Sequence, residues 1–120
     1  MAIHSYLTGG LGGHNKGMSK ISDPGLPAEL LAAATSFGTP LRLAILHLLR
    51  HEAMSSFEMA DALQIGVTTI TSNLTVLEGC GVLTASEPAR GRHGRRVRWS
   101  VDQQAVDHLL ETMSRYVRAH

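Results

Sequence analysis

Residues 55–81 read SSFEMADALQIGVTTITSNLTVLEGCG, and this stretch decides the fold. Ser55 and Glu58 stand at the spacing of a capping box, in which each side chain takes a backbone N–H that a helix start leaves unpaired. A short helix is predicted through Phe57, Ala60 and Leu63, and Gln64-Ile65-Gly66 makes a tight turn. A second helix, over about Val67 to Gly79, turns Val67, Ile70, Leu74 and Leu77 to one side. Gly81 ends it, because glycine takes the left-handed conformation that closes many helices. Two short helices joined by so short a turn form a helix-turn-helix pattern.

The chain before this motif holds two more helices. From Pro27, the residues Leu30, Leu31, Ala34 and Phe37 make one apolar stripe, and Gly38 stops it. Thr39-Pro40 reads as an N-cap followed by proline in the first helical position. That helix is predicted to reach about Glu52. Leu41, Ile45, Leu48 and Leu49 form its inner face, widened by Leu43 and Leu46, with His47, Arg50 and His51 on the wet side. Residues 1–25 carry six glycines and little periodicity, so they read as a flexible arm or in part as upstream sequence, with Met18 an alternative start.

After the motif, Leu83 to Glu87 reads as a strand, Pro88 to Gly94 as a basic turn, and Arg95 to Val101 as an alternating strand. Val97, Trp99 and Val101 share one face of it; Arg96, Arg98 and Ser100 share the other. A last helix is predicted over about Gln103 to Arg118, with Val106, Leu109, Leu110, Met113, Tyr116 and Val117 in a stripe. The expected architecture is mainly α with a small β-hairpin. It is a winged helix-turn-helix of about five helices and a two-stranded wing, one domain over residues 26–120 behind the arm.

Composition is consistent with one small core. The 120 residues are 43% apolar but only 4% aromatic, so aliphatic side chains must fill the interior. One cysteine, Cys80, cannot form an internal disulfide, and no apolar run approaches the length of a membrane span. Both point to a cytoplasmic protein. No phosphate-binding glycine loop, nucleophile elbow or carboxylate pair supports an enzyme. The net charge is only +1, but residues 66–100 hold five arginines against Glu78 and Glu87. Positive potential is therefore concentrated in one region.

Two polar surfaces point to double-stranded DNA as partner. On the second helix of the motif, Thr68, Thr71, Ser72 and Thr75 fall at i, i+3, i+4 and i+7, with Thr69 and Asn73 alongside. In a helix-turn-helix this face enters the major groove, where hydroxyls meet base edges and threonine methyls meet thymine methyls. Asn73, at the edge of the buried stripe, suits a base contact or a structural hydrogen bond. The face lacks Arg, Lys and Gln, so direct base readout is modest. The wing carries Arg90, Arg92, His93, Arg95 and Arg96, suited to phosphates or a narrow minor groove; Arg98, at the strand's base, can instead pair with an acid.

The order of elements resembles the ArsR-type winged helix-turn-helix regulators. The segments that carry the resemblance are Phe37 to Leu46, Ser55 to Leu63, and Thr69 to Leu77 with Gly81-Val82-Leu83, within residues 27–118. The MarR type shares much of this pattern. The resemblance implies dimeric operator binding, usually repression, relieved by a metal or another signal. The family's thiolate motif is missing, since Ser55, Ser56 and Phe57 occupy its place, and Asp107 and His108 are adjacent instead of alternating. No cofactor or metal is expected and the effector is left open. His47 and His51, at helical spacing, are the remaining metal candidates, with His108, Glu111 and His120 behind them. Cys80 is expected to be a small buried thiol.

The first and last helices both carry stripes that so short a domain cannot easily bury alone. Leu30, Leu31 and Phe37 are expected to meet Leu109, Leu110, Met113, Tyr116 and Val117 across a two-fold axis in a homodimer. Two other functions fit the residues: a winged helix that docks proteins, and an architectural or mobile-element DNA-binding factor.

Overall fold

The computed structural model describes residues 25–88 and 97–118. Residues 1–24 of the expected arm, the wing residues Arg90, Arg92, His93, Arg95 and Arg96, and His120 lie outside the described residues. The elements in chain order are α1 (Ala28–Phe37), α2 (Pro40–Leu48), β1 (Met54–Ser55), α3 (Ser56–Leu63), α4 (Val67–Gly79), β2 (Leu83–Ala85), β3 (Arg98–Val101) and α5 (Gln103–Val117).

Local chemistry sets the boundaries. Thr39 Oγ1 accepts the backbone N–H of Arg42 at 3.2 Å, with Pro40 in the first turn of α2. The expected extension of α2 to Glu52 does not occur. Leu49 leaves the helix, Arg50 Nη1 donates to the His47 carbonyl at 2.7 Å, and the chain must straighten for Met54 to pair with Trp99. Both halves of the capping box form: the Glu58 N–H donates to Ser55 Oγ at 3.1 Å, and the Ser55 N–H donates to Glu58 Oε1 at 2.9 Å. Ser55 also ends β1, so the sheet edge launches α3.

The apolar register of α3 differs from the predicted one. Phe57 is 59% exposed and Met59 is fully buried. An i, i+3, i+6 stripe drifts by about 60° per step on a helix of 3.6 residues per turn, which carries Phe57 away from the face used by Met59, Ala60 and Leu63. Gln64 closes α3 in the left-handed conformation (φ 56°), and the Ile65 N–H reaches back to the Ala60 carbonyl at 3.1 Å. Gly81 (φ 86°) closes α4 in the same way, with the Val82 N–H on the Leu77 carbonyl at 3.2 Å.

Ile70, Leu74 and Leu77 of α4 are fully buried and form the middle of the core with Ile45, Leu49, Met59 and Val82. The sheet has three antiparallel strands in the order β1-β3-β2, one more than the two expected, because Met54–Ser55 adds an edge. Trp99 sits at its centre, opposite Met54 on one side and Ala85 on the other. Its neighbours Val97 and Val101 also pack on the core.

Asp102 caps α5 by accepting the Ala105 N–H at 3.1 Å. Helix α5 lies against α1 of the same protomer. This corrects the dimer assignment for Leu30 and Leu109, each only 5% exposed and spent on the internal core. Phe37 and Met113 are half-buried against that core too. Leu31, Leu110, Tyr116 and Val117 stay exposed.

Gly38, at the end of α1, leaves no room for a side chain, since a Cβ there would run into the Ala34 carbonyl. Gly38→Ala is expected to lower stability by about 1–3 kcal/mol, the usual range for forced overpacking, read as a lower urea midpoint.

Candidate nucleic-acid interface

Helix α4 separates its two faces sharply. Ile70, Leu74 and Leu77 pin one side to the core, and Thr68, Thr69, Thr71, Ser72 and Thr75 are all exposed on the other. No acidic residue occurs in its first turn, and Gly66 before it supplies no side-chain cap. A phosphate approaching the start of this helix therefore meets backbone N–H groups and the positive end of the helix dipole, with no carboxylate in the helix's own first turn to repel it.

The hydroxyls are not idle. Thr71 Oγ1 donates to the Val67 carbonyl at 2.8 Å, Ser72 Oγ to Thr69 at 3.1 Å, and Thr75 Oγ1 to Thr71 at 3.2 Å. A hydroxyl has one proton and two lone pairs. With the proton turned inward, each oxygen offers lone pairs to solvent, and each threonine adds a methyl group. Such a surface can accept from the exocyclic amines of adenine or cytosine and can pack on thymine methyls.

Asn73 is half-buried and takes the structural role of its two sequence-level options. Its Oδ1 accepts from Arg42 Nε at 3.0 Å, and its Nδ2 donates to the Thr69 carbonyl at 2.9 Å. Sequence reasoning missed the Arg42 link because thirty-one positions separate the partners. Arg98 pairs with an acid at the wing base: Nη1 meets Glu58 Oε1 at 3.2 Å, and Nη2 donates to the Ala53 carbonyl at 2.7 Å. That contact ties β3 to the start of α3.

The histidine candidates do not converge. His47 is on α2, but His51 lies past its end, so the helical spacing assumed for the pair does not hold. His108 Nε2 is 3.0 Å from Glu29 Oε2, and Glu111 pairs with Arg115. Among the described residues, no three His, Cys, Asp or Glu side chains come together as a metal site. Cys80 is half-buried, less enclosed than expected, at a shallow pocket of about 400 Å³ with Ala28, Ala32, His108 and Leu109. No single helix among the described residues is long and apolar enough to cross a membrane.

This geometry has counterparts among solved structures. An ArsR-like transcriptional regulator from Rhodococcus sp. RHA1 matches with a TM-score of 0.60 at 23% identity, over 76% of this chain and 81% of that one. The fold is the ArsR-type winged helix-turn-helix. A homodimeric winged helix-turn-helix DNA-binding domain from Mycobacterium bovis, described as a possible ArsR-family regulator, matches with a TM-score of 0.57. It is 21% identical, over 90% of this chain and 91% of that one. The transcriptional repressor BigR from Xylella fastidiosa matches with a TM-score of 0.51 at 18% identity, over 88% of this chain and 98% of that one. No protein-family model and no curated protein matches the sequence.

Proposed function

We propose that this chain is a homodimeric repressor that binds double-stranded DNA in the cytoplasm, with α4 in the major groove and the arginine wing on the backbone. The observation that carries it is the exposed, uncharged hydroxyl face of α4, held rigid by three fully buried residues on the opposite side. The M. bovis neighbour, a homodimeric DNA-binding domain of the same fold, supports the same assignment. No catalytic activity, cofactor or resident metal is part of it. The hydroxyls and Thr69 read base edges weakly, and Arg90, Arg92, His93, Arg95 and Arg96 supply the salt-sensitive part of the affinity.

The test is duplex binding across a salt series. Arg92→Ala with Arg96→Ala is expected to weaken binding to all sequences and to reduce the slope of log K against log salt by about 2, close to one unit per lost phosphate contact. An unchanged slope contradicts the wing's part.

Leu31, Leu110, Tyr116 and Val117 are 37%, 44%, 60% and 73% exposed on the packed α1–α5 pair, and they are the dimer surface in this proposal. A two-fold there would present two α4 helices to half-sites about one DNA turn apart. Leu110→Glu with Val117→Glu is expected to raise the dimer dissociation constant at least about a hundredfold, since each buried carboxylate opposes burial of an apolar neighbour. Sedimentation at micromolar concentration checks this.

The absence of Arg, Lys and Gln from α4 favours a second role, an architectural factor. Selection of bound duplexes from a random pool separates the two: a palindromic consensus supports the repressor, and no consensus supports the architectural role.

A further inference from the structure

Arg42 joins three helices through one guanidinium. Its backbone N–H is held by Thr39 at the start of α2. Its Nη1 donates to the Thr35 carbonyl at 2.9 Å, in the last turn of α1, which carries no basic residue of its own. Carbonyls in a last turn have no partner within their helix, and a cation there also opposes the negative end of the helix dipole. The Nε of the same group donates to Asn73 Oδ1 at 3.0 Å, and Asn73 Nδ2 continues to the Thr69 carbonyl at 2.9 Å. Thr69 and the exposed Ser72 flank Asn73 on the surface of α4, and Ser72 Oγ donates to that same Thr69 carbonyl.

We infer that Arg42 is a positioning residue for the DNA-reading helix: through Asn73 it fixes the rotation of α4 relative to the α1–α2 junction. This rests on the DNA-binding function proposed above. The guanidinium is planar with its donors in a rigid fork, so satisfying Thr35 and Asn73 together fixes the separation of α1 and α4 at that level. Lysine keeps the charge but is a flexible point donor and does not reproduce the fork. Asn73, the one side chain of α4 able to grip adenine bidentately, is thereby held away from base reading and used to orient its hydroxyl neighbours. The inter-helix link also joins α4 to α1, which carries Leu31 of the proposed dimer surface.

The experiment compares wild type, Arg42→Lys, Asn73→Ala and the double variant. Each is titrated with a selected duplex and a random duplex across salt, with amide hydrogen exchange followed over α4. Both single variants are expected to lose about tenfold in preference for the selected duplex, within the range for residues that tune coupling without touching ligand. The double variant is expected to lose no more than the worse single, because the two residues act through one bond. The salt slope stays at the wild-type value, since Arg42→Lys keeps the charge. A merely structural role lowers the folded fraction and scales both duplexes alike, leaving the preference unmoved. An unchanged preference, or losses that add in the double variant, overturns the assignment. If the wild type binds no duplex, the DNA-binding function fails, and exchange alone decides Arg42. Faster exchange confined to Asn73–Leu77 in both single variants, with the rest of the core unchanged, then upholds the link that orients α4, and exchange that is unchanged or faster throughout the core overturns it.

Discussion

Replacing Thr71 and Thr75 together by glutamate is expected to abolish duplex binding, by roughly a hundredfold or more, and to leave the fold intact. Both side chains are exposed on α4, and their only described hydrogen bonds run to carbonyls of the same helix. Substitutions at such surface positions change stability by about 0.5 kcal/mol or less. The loss therefore arises at the interface. In the proposed complex each glutamate replaces a threonine methyl that would face base edges with a longer side chain and sets a negative charge where phosphates line the groove, and a good base contact alone is worth about 1–3 kcal/mol. The pair Thr71→Ala and Thr75→Ala removes the hydroxyls without adding charge and is expected to lose far less. Fluorescence anisotropy with a labelled duplex measures both, and far-UV circular dichroism checks the fold. Equal, small losses for both pairs would place the DNA surface elsewhere.

Trp99→Ala is expected to be the most damaging single substitution for stability, at about 3–5 kcal/mol, the cost of removing a buried aromatic and leaving a cavity. Trp99 is 5% exposed at the centre of β3, between Met54 of β1 and Ala85 of β2, and packs against the core of α3 and α4. A small domain is stable by about 5–15 kcal/mol, so the variant stands near the edge of folding. Thr84 is a fair control on the same sheet: exposed, with its hydroxyl on Ser100 Oγ at 3.2 Å, and Thr84→Ala is expected to cost under about 1 kcal/mol. Urea unfolding followed by circular dichroism gives both values. A Trp99→Ala cost no larger than the Thr84→Ala cost would mean that the sheet does not anchor the core.

What was legible in the sequence was local. The capping box at Ser55 and Glu58, the Thr39 cap, the Gly81 stop and three of the four residues of the α4 stripe, Ile70, Leu74 and Leu77, are short-range patterns that appear as read, while Val67 is only half-buried. Most of the misreadings share one cause, competition from distant partners. Helix α2 stops at Leu48 because Met54 must pair with Trp99, and no spacing near Glu52 encodes a partner forty-five positions away. The two-residue strand β1 is too short to show alternation. In α3 an i, i+3, i+6 spacing drifts around the helix, so Met59 holds the buried face and the larger Phe57 lies outward. Leu30 and Leu109 looked available for a partner subunit because amphipathic periodicity shows a buried face without showing which chain buries it.

The candidate site divides in the same way. Exposure of the threonine and serine face followed from its position opposite the buried stripe. The double hydrogen bond of Asn73 did not, because an asparagine beside an apolar stripe has the same sequence signature whether its partner is a base or an arginine. The Arg98 ion pair with Glu58 was foreseen only as a type of contact, from the place of Arg98 near the strand's base.

The most direct measurement is an NMR titration of the isotope-labelled full chain with a duplex chosen from a random pool. Backbone amide shifts concentrated at Thr68, Thr69, Thr71, Ser72 and Thr75 and on the arginine wing, with α5 left unmoved, are the result expected for a hydroxyl-faced helix in the major groove. Saturable binding that leaves these α4 amides unmoved and shifts another surface would contradict it.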